Sequence, residues 1–266
     1  MPKVSVIMSI FNEERYLKES IESILNQTYG DFEFIICDDG STDSSLDIVR
    51  SYMKKDERII LLKNETNLGL AASLNRCLAI SKGEYIARMD ADDIALKDRF
   101  KKQVDFLDNN QRVAVICGGI NFIDENNHIW GKKLVNTPIT KKSIFLNNPI
   151  VHPTVMMRKE AIMSVGGYTV SPITRKGQDF DLWCKLIHKG YVIAGIDAIV
   201  LNYRESQDDY KNRGFKRRLL SIKLQRYWRR KFGFPIYYDF FVLKQIIAIF
   251  VPKRIMYFYR EKKFSQ

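Results

Sequence analysis

The sequence predicts an α/β protein with a mostly parallel sheet flanked by helices, followed by basic C-terminal helices. Within the first 90 residues, apolar strand-like runs alternate four times with polar loops and stretches of helical periodicity, the pattern of βαβ units. Beyond residue 204 this alternation stops, and residues 211–266 hold 16 Lys and Arg against two acids. We therefore expect an α/β domain over residues 1–208 and a basic helical appendage over residues 209–266.

Each predicted element follows from a local pattern. Strands are predicted from runs of apolar and β-branched residues at 3–10, 32–37, 59–62 and 84–89. Helices are predicted from apolar residues at helical spacing, from 15 to about 28, from the polar turn after residue 37 to about 53, and over 70–81. Two further helices are expected, one that begins near Leu96 and one over 182–188.

An acidic cluster follows the fourth predicted strand. Asp90, Asp92 and Asp93 lie within four positions, and carboxylates so close repel one another unless a cation offsets them. Carboxylates at alternate positions suit Mg²⁺ or Mn²⁺, ions that keep positions open for water and substrate phosphates. The alternative is an acidic turn that caps the next helix.

Three polar loops are expected at one edge of the sheet, because ligands bind beyond the carboxyl ends of parallel strands. They cover residues 9–13, 38–43 and 90–93. The first strand is not followed by Gly-x-Gly-x-x-Gly, and the sequence has no Walker-type Gly-Lys-Ser or Gly-Lys-Thr. These absences argue against dinucleotide-binding oxidoreductases and P-loop proteins.

A series of motifs identifies a family resemblance over residues 3–204. In chain order they are VSVIMSIFNEE, DDGSTD, NLG, GEYIARMDADD, Asp98-Arg99, HPTVMMR at 152–158, Gly166-Gly167-Tyr168 and QDFDLW at 178–183. The chain resembles the inverting family 2 glycosyltransferases with a GT-A fold, of the bacterial cell-surface polysaccharide type. This resemblance implies transfer from a nucleotide diphosphate sugar, most often a UDP-sugar, to a hydroxyl of a glycan or lipid-linked acceptor, as in capsule or lipopolysaccharide synthesis.

The resemblance also implies a donor site and a metal site. Asp92 would be the direct ligand of Mn²⁺ or Mg²⁺, with Asp90 nearer the sugar or ribose. Asp39 would contact the nucleotide base, although a turn residue that bonds its own backbone is the alternative. The other positions that the resemblance assigns to the nucleotide sugar are Ser9, Phe11, Glu13, Asn67, Gly69 and Ala91.

An inverting transfer needs a base that takes the proton of the acceptor hydroxyl. The resemblance places this base at Asp179. The family pattern has a glutamate before the aspartate, whereas this chain has Gln178, and the loss of a negative neighbour would leave the pKa of Asp179 lower than in that pattern. Asp181 is the weaker alternative base, and we expect it to anchor the following helix.

Three further residues have open interpretations. Asp93 could contact the acceptor or cap the helix near Leu96. His152 could approach the diphosphate or the acceptor, and a hydrogen-bonded structural role is the alternative. Trp183 could form an acceptor platform, although a core aromatic is the better interpretation.

The basic appendage indicates a membrane surface rather than nucleic acid. The net charge is +12, yet the first 210 residues carry about −2 and the excess lies in the appendage. Residues 214–231 have the pattern of a basic amphipathic helix, and the apolar stretch 236–250 is too short to span a bilayer. We expect peripheral association with the inner face of the cytoplasmic membrane. Packing on the α/β domain or formation of a homodimer is the alternative.

The cysteines and the first residues predict a cytoplasmic protein. Four cysteines are scattered singly, without the paired spacing of a zinc site or a disulfide framework. Residues 1–5 lead directly into a strand, without the apolar stretch and cleavage site of a signal peptide.

Two other function classes are less consistent with these residues than the one that the resemblance implies. A nucleotidyltransferase also joins an α/β sheet to an acidic metal site, but it needs a basic, glycine-rich phosphate loop, and the loop after the first strand is acidic. A non-catalytic membrane-binding or nucleic-acid-binding protein could use the basic appendage, but it has no need for the family motifs.

Overall fold

A parallel four-stranded unit forms the N-terminal part of the computed structural model, which describes residues 1–135, 138–205, 215–241, 262 and 264. Its elements are β1 (Val4–Ile10), α1 (Leu17–Leu25), β2 (Phe32–Asp38), α2 (Ser45–Met53), β3 (Ile59–Lys63), α3 (Leu70–Ile80) and β4 (Tyr85–Arg88). The strands lie in the order β3-β2-β1-β4, and every neighbouring pair is parallel. The four strands and three helices predicted for this part are confirmed.

The sheet continues into a mixed half. Its elements are β5 (Ile94–Ala95), α4 (Arg99–Asn109), β6 (Val113–Ile123), β7 (Ile129–Lys133), α5 (Lys141–Asn147), β8 (Met156–Arg158), α6 (Lys159–Ser164), α7 (Gln178–His188) and β9 (Val192–Arg204). The order beyond β4 is β8-β6-β9-β5, with β7 also paired to β6. Here β6 and β9 run parallel, and the other pairs are antiparallel.

The helix expected near Leu96 begins instead at Arg99, where α4 starts. Residues 94 and 95 form the short strand β5, and the Leu96 N–H donates to the Val200 carbonyl at 3.0 Å. This pairing with β9 keeps the chain extended for several residues beyond the acidic cluster. The helix predicted over residues 182–188 begins earlier than expected, at Gln178.

Two apolar cores cover the two faces of the sheet. Alternate residues of β2 point to opposite sides, so that Ile35 belongs to the core that includes residues of α3 and α7, while Phe34 belongs to the core that includes residues of α1 and α4. A strand buried on both faces has a nearly continuous apolar sequence, and this is the pattern of the predicted strands. The four cysteines are buried and free.

Helix α8 (Phe215–Phe232) packs against α7. Its bounds lie within one residue of the helix predicted over 214–231. Ile222, Leu224 and Trp228 are buried against the α/β domain, so this side of the helix is covered by the chain itself. The described part of the chain contains no helix of the length and apolar composition that a bilayer crossing requires. The expected boundary at 208 and most of the apolar stretch 236–250 lie outside the described residues.

Candidate active site

The acidic cluster lies in the loop after β4, and hydrogen bonds from α1 and β9 hold the backbone of this loop. Asp90, Asp92 and Asp93 each offer a carboxylate oxygen, and these oxygens lie within 4.8 Å of one another. The hydroxyl of Ser20, on α1, donates to the Asp90 carbonyl at 2.8 Å, and Nε of Arg204, at the end of β9, donates to the Asp92 carbonyl at 2.9 Å. The carboxylates are therefore held together by the backbone of their loop.

Asp93 is the buried member of this cluster and is 1% exposed. Its Oδ1 accepts the backbone N–H of Arg204 at 2.9 Å. Burial and the nearby carboxylates of Asp92 and Asp90 raise the pKa of Asp93 well above its usual range. The interpretation of Asp93 as a helix cap is wrong, because α4 begins after Asp98 and the carboxylate bonds to β9 instead.

Arg88 faces the cluster from the last position of β4. It is 2% exposed, and its guanidinium forms a two-pronged ion pair with the Asp90 carboxylate. Burial alone would lower the pKa of Arg88, but the neighbouring Asp90 raises it above the usual value. A fixed positive charge therefore lies beside the carboxylates, as three close acids require.

Arg204 is a second buried cation at the cluster. Its guanidinium stacks 4.0 Å from the centre of the Tyr16 ring. It also donates to Glu19 Oε2 at 3.1 Å and to Asn127 Oδ1 at 2.7 Å. Arg204 thus ties α1, the turn after β6 and the acidic loop together.

Neither arginine is predicted as a site residue from the sequence. Arg88 carries a signal that could have been used, because a charged residue inside an otherwise apolar strand needs a buried partner. Arg204 carries none, because its partners lie more than 70 positions away along the chain.

A cleft of about 980 Å³ opens beside the cluster. Its wall includes Arg88, Asp90, His152, Lys176, Gln178 and Asp179. The acidic loop after β4 and the first turn of α7 therefore meet at one cavity, although they are far apart in the sequence. Apolar residues of β6 and of the segment before β8 also line the cleft, among them Ile120, Ile150 and Val151.

Asp179 lies half-buried in the first turn of α7. Burial raises the pKa of its carboxyl above the usual value, opposed by the backbone N–H of Phe180 and by the positive charge of Arg88. Asp181, the alternative base, is 4% exposed and turned away from the cleft wall toward Trp228 and Thr169. Asp179 is therefore the carboxylate of this turn that reaches the cavity.

His152 and Trp183 have buried environments. His152 lines the cleft, and its Nε2 lies 2.8 Å from the Tyr168 hydroxyl. Burial and the charge of Arg88 lower the pKa of His152 well below its usual range, so its ring is neutral. Trp183 is fully buried, with its ring 5.8 Å from that of His152. It lies in the core, the better of its two interpretations.

Asp39 organises the loop between β3 and α3. Its Oδ1 accepts from the Asn64 side-chain amide at 2.6 Å and from the Leu68 N–H at 2.9 Å, and its Oδ2 accepts from the Gly69 N–H at 2.8 Å. Gly69 has a φ of 90°, a backbone conformation that favours glycine. The carboxylate therefore fixes the loop that carries Asn67 and Gly69.

The loops after β1 and β2 lie against each other at the same edge of the sheet. The Asn12 N–H donates to Ser41 Oγ at 3.1 Å, and the Thr42 N–H donates to Asn12 Oδ1 at 2.8 Å. Phe11 is 43% exposed there. The predicted donor-site residues outside the cleft wall are Ser9, Phe11, Glu13, Asp39, Asn67, Gly69, Ala91 and Asp92.

The match to a known family decides the class of protein. Residues 5–166 match the family model of glycosyl transferase family 2. This chain belongs to that family. The glycosyltransferase is 37% identical over 263 residues to EpsE of Bacillus subtilis (strain 168), also named as a glycosyltransferase, with 98% of this chain and 94% of EpsE covered.

Two further comparisons concern substrates and fold. The glycosyltransferase is 30% identical to WfgD of Escherichia coli, named as a UDP-Glc:alpha-D-GlcNAc-diphosphoundecaprenol beta-1,3-glucosyltransferase, over 85% of this chain and 83% of WfgD. The crystal structure of S. aureus TarS 1-349 in complex with UDP-GlcNAc superposes with a TM-score of 0.62 at 22% identity, covering 84% of this chain and 66% of that one. At that identity the superposition establishes the GT-A fold.

Proposed function

We propose that this glycosyltransferase moves a sugar from a UDP-sugar to a hydroxyl of a glycan or lipid-linked acceptor, with inversion at the anomeric carbon. The observation that carries the proposal is the shared cleft, since Asp90 and Asp179 line one cavity of about 980 Å³. That volume suits a small-molecule site. The named activity of WfgD, with a UDP-sugar donor and a diphosphoundecaprenol-linked acceptor, supports the UDP-sugar and the lipid-linked acceptor of this proposal. We propose cell-surface polysaccharide synthesis as the setting.

Asp179 is the proposed base. Its ionised carboxylate takes the proton of the acceptor hydroxyl as the hydroxyl oxygen bonds to the anomeric carbon. The bond from that carbon to the diphosphate oxygen breaks on the opposite face, so the configuration inverts. The raised pKa of Asp179 supports this role, because a more basic carboxylate accepts the proton more readily.

The residues of the acidic cluster fit a divalent ion, Mn²⁺ or Mg²⁺, with Asp92 and Asp90 as its proposed ligands. Three carboxylate oxygens lie within 4.8 Å of one another. Asp93 Oδ2 is buried and has no hydrogen-bond partner among the described residues. When bound, the ion would stabilise negative charge on the departing diphosphate. Arg88 holds the Asp90 carboxylate in a fixed orientation beside it.

The nucleotide is proposed to bind across the loops at the strand ends. Contacts between the loops after β1 and β2 support a joint pocket there. Asp39 holds the neighbouring loop through three hydrogen bonds, so a contact with the base would add to this ordering role. The proposed donor-site residues are Ser9, Phe11, Glu13, Asp39, Asn67, Gly69, Ala91, Asp90 and Asp92.

Residues 209–266 are proposed to hold the enzyme at the inner face of the cytoplasmic membrane, where a lipid-linked acceptor would be found. The solvent side of α8 carries four exposed cations, Lys223, Arg226, Arg230 and Lys231. Ile236 and Phe240 are 76% and 72% exposed just beyond it. Cations combined with exposed apolar side chains suit an anionic lipid surface.

Transfer by the full chain tests the proposal. We would assay UDP-glucose, UDP-N-acetylglucosamine and GDP-mannose with Mn²⁺ and a synthetic N-acetylglucosaminyl diphosphate lipid in detergent. The expected result is transfer from one UDP-sugar, with a β-linked product from the α-linked donor in the NMR coupling of the anomeric proton. Retention of the donor's configuration, or the absence of turnover with every donor, would contradict the proposal.

A further inference from the structure

The C-terminal helix α8 contacts the first turn of α7 on both sides of Asp179. Two positions before it, a Cβ added to Gly177 would lie 3.0 Å from Cδ2 of Leu224, so the leucine packs directly on this glycine. Two positions after it, Asp181 Oδ1 accepts the indole N–H of Trp228 at 2.8 Å. Leu224 and Trp228 are each 4% exposed.

Asp181 is the centre of a buried polar network. Its other oxygen, Oδ2, accepts the hydroxyl of Thr169 at 2.6 Å. The ammonium of Lys185 donates to that same threonine hydroxyl at 3.0 Å and to the Gly167 carbonyl at 2.5 Å. The network therefore joins α8 and α7 to the segment that precedes α7.

The segment held by this network also reaches the cleft. Tyr168 lies between Gly167 and Thr169, and its hydroxyl is 2.8 Å from Nε2 of His152, a cleft residue. Its backbone N–H and carbonyl both bond to the Asn75 side chain on α3, each at 2.8 Å. The hydrogen-bond network around Asp181 is therefore connected to two parts of the cleft wall, at Asp179 and at His152.

From these contacts we propose that Trp228 and Asp181 are positioning residues for the base, and that α8 is part of the catalytic unit. The proposal rests on the role of Asp179 given above. A base must lie within hydrogen-bond reach of the hydroxyl proton, and small displacements of reacting groups cost large factors in rate. Loss of the Trp228 hydrogen bond leaves a carboxylate oxygen buried without its donor, which favours movement of the α7 turn.

The test compares Trp228→Phe and Asp181→Ala with Asp181→Asn. The first two variants remove the bond between α8 and α7, whereas asparagine keeps an acceptor for the indole and an amide that can donate to Thr169. We expect kcat to fall about 10-fold to 100-fold in Trp228→Phe and Asp181→Ala. The KM for the donor should stay within about two-fold, and Asp181→Asn should keep most of the wild-type kcat.

Asp239→Asn is the matched control. Asp239 pairs with Arg229 at 2.9 Å and with Arg226 at 3.8 Å, so the variant weakens the same C-terminal region and leaves the bond between Trp228 and Asp181 in place. All variants are assayed well below their melting temperatures, and the rates are normalised to the folded fraction. If Trp228→Phe and Asp181→Ala lose only thermal stability, as Asp239→Asn should, the positioning role is refuted.

Hydrogen exchange provides a readout that does not depend on activity. The Asp181 N–H bonds to the Gly177 carbonyl at 3.0 Å, so amides of residues 178–182 report on this turn. We expect faster exchange there in Trp228→Phe and wild-type exchange in Asp239→Asn. Unchanged exchange in Trp228→Phe would overturn the proposal. An inactive wild type with changed exchange would refute the proposed function and leave the structural coupling established.

Discussion

At the scale of single residues, the proposed reaction depends most directly on Asp179, its base. Asp179→Asn keeps the size of the side chain and removes the proton acceptor, so we expect kcat to fall about 10²-fold to 10⁴-fold. Circular dichroism should show an unchanged fold. Asp197→Asn, an exposed aspartate on β9, is the matched control and should keep full activity. Wild-type turnover in Asp179→Asn would exclude this residue as the base.

The raised pKa of Asp179 predicts the pH dependence of the reaction. The base works only when ionised, and burial raises its pKa above the usual value of about 4. kcat/KM should therefore increase with pH through this higher value and then level off. Burial and the charge of Arg88 lower the pKa of nearby His152 well below its usual range, and Arg88 and Asp90 are held as an ion pair. A profile without an acidic limb, in a protein that fluorescence shows to be folded throughout, would contradict the assignment.

The ion pair between Arg88 and Asp90 predicts different stabilities for two variants of the cluster. Arg88 is 2% exposed, so Asp90→Ala leaves a buried charge without its partner and should lower the free energy of unfolding by about 3 kcal/mol. Asp92→Ala leaves the ion pair between Arg88 and Asp90 in place and should cost less than Asp90→Ala. Urea denaturation measures both. The double variant Arg88→Met with Asp90→Ala should recover much of the loss, and equal costs for both single variants would contradict the ion-pair argument.

The residues differ in how far the sequence could identify them. Asp90, Asp92 and Asp179 stand in motifs, so the resemblance assigns them roles from the sequence alone. Arg204 could not be found, because its bonds reach residues scattered over the chain. The environment of Asp93 is equally unpredictable from the sequence, because its carboxylate accepts a backbone N–H from a strand more than 100 residues later in the chain.

At the scale of elements, the two halves of the sheet were unequally predictable. Strands β1 to β4 are apolar runs separated by amphipathic helices, and this periodicity is a local property. The strand β5 has two residues and exists because β9 lies beside it, so no local pattern predicts it. The predicted start of α4, near Leu96, is wrong for the same reason. Pairing with β9 keeps the residues after the acidic cluster extended, so the helix begins later.

The close approach of the chain before β4 to β1 predicts that one methyl group added at Gly83 lowers the stability of the fold. A Cβ added to Gly83, just before β4, would lie 2.5 Å from the Ser5 nitrogen and 2.7 Å from the Val4 carbonyl carbon. These are backbone atoms of β1 and cannot turn aside, so Gly83→Ala should lower the free energy of unfolding by about 1–3 kcal/mol. Gly30→Ala, where nothing lies within 4 Å of the added Cβ, should change it by less than about 0.5 kcal/mol. Similar urea midpoints for the two variants would refute this close approach.

At the scale of the whole molecule, α8 has an apolar side that packs on the α/β domain and a cationic side that faces solvent. Its apolar side packs on α7 through Leu224 and Trp228. The composition of the appendage indicated a membrane-facing helix, but a helix that packs on its own domain has the same amphipathic sequence. Only the structure shows that the apolar side is covered, which leaves the cations of the solvent side for a partner.

Binding to vesicles tests this division at the level of the full chain. Lys223, Arg230 and Lys231 are exposed on the solvent side of α8, and a cation near an anionic leaflet contributes about 1 kcal/mol. Replacing the three with glutamine should therefore weaken binding to phosphatidylserine-containing vesicles about 100-fold. Sedimentation of vesicles at low salt measures the affinity, and binding of the wild type should fall as salt screens the charges.

The replacement leaves the buried contacts of α8 intact, so transfer to a water-soluble acceptor should be unchanged in the same variant. Zwitterionic vesicles are the control surface, and neither protein should bind them strongly. Equal binding of both proteins to anionic vesicles would show that the exposed cations of α8 do not form the membrane contact. If the wild type binds no vesicle and analytical ultracentrifugation shows a dimer that the variant does not form, the solvent side of α8 is a protein interface, and the proposed membrane role is refuted.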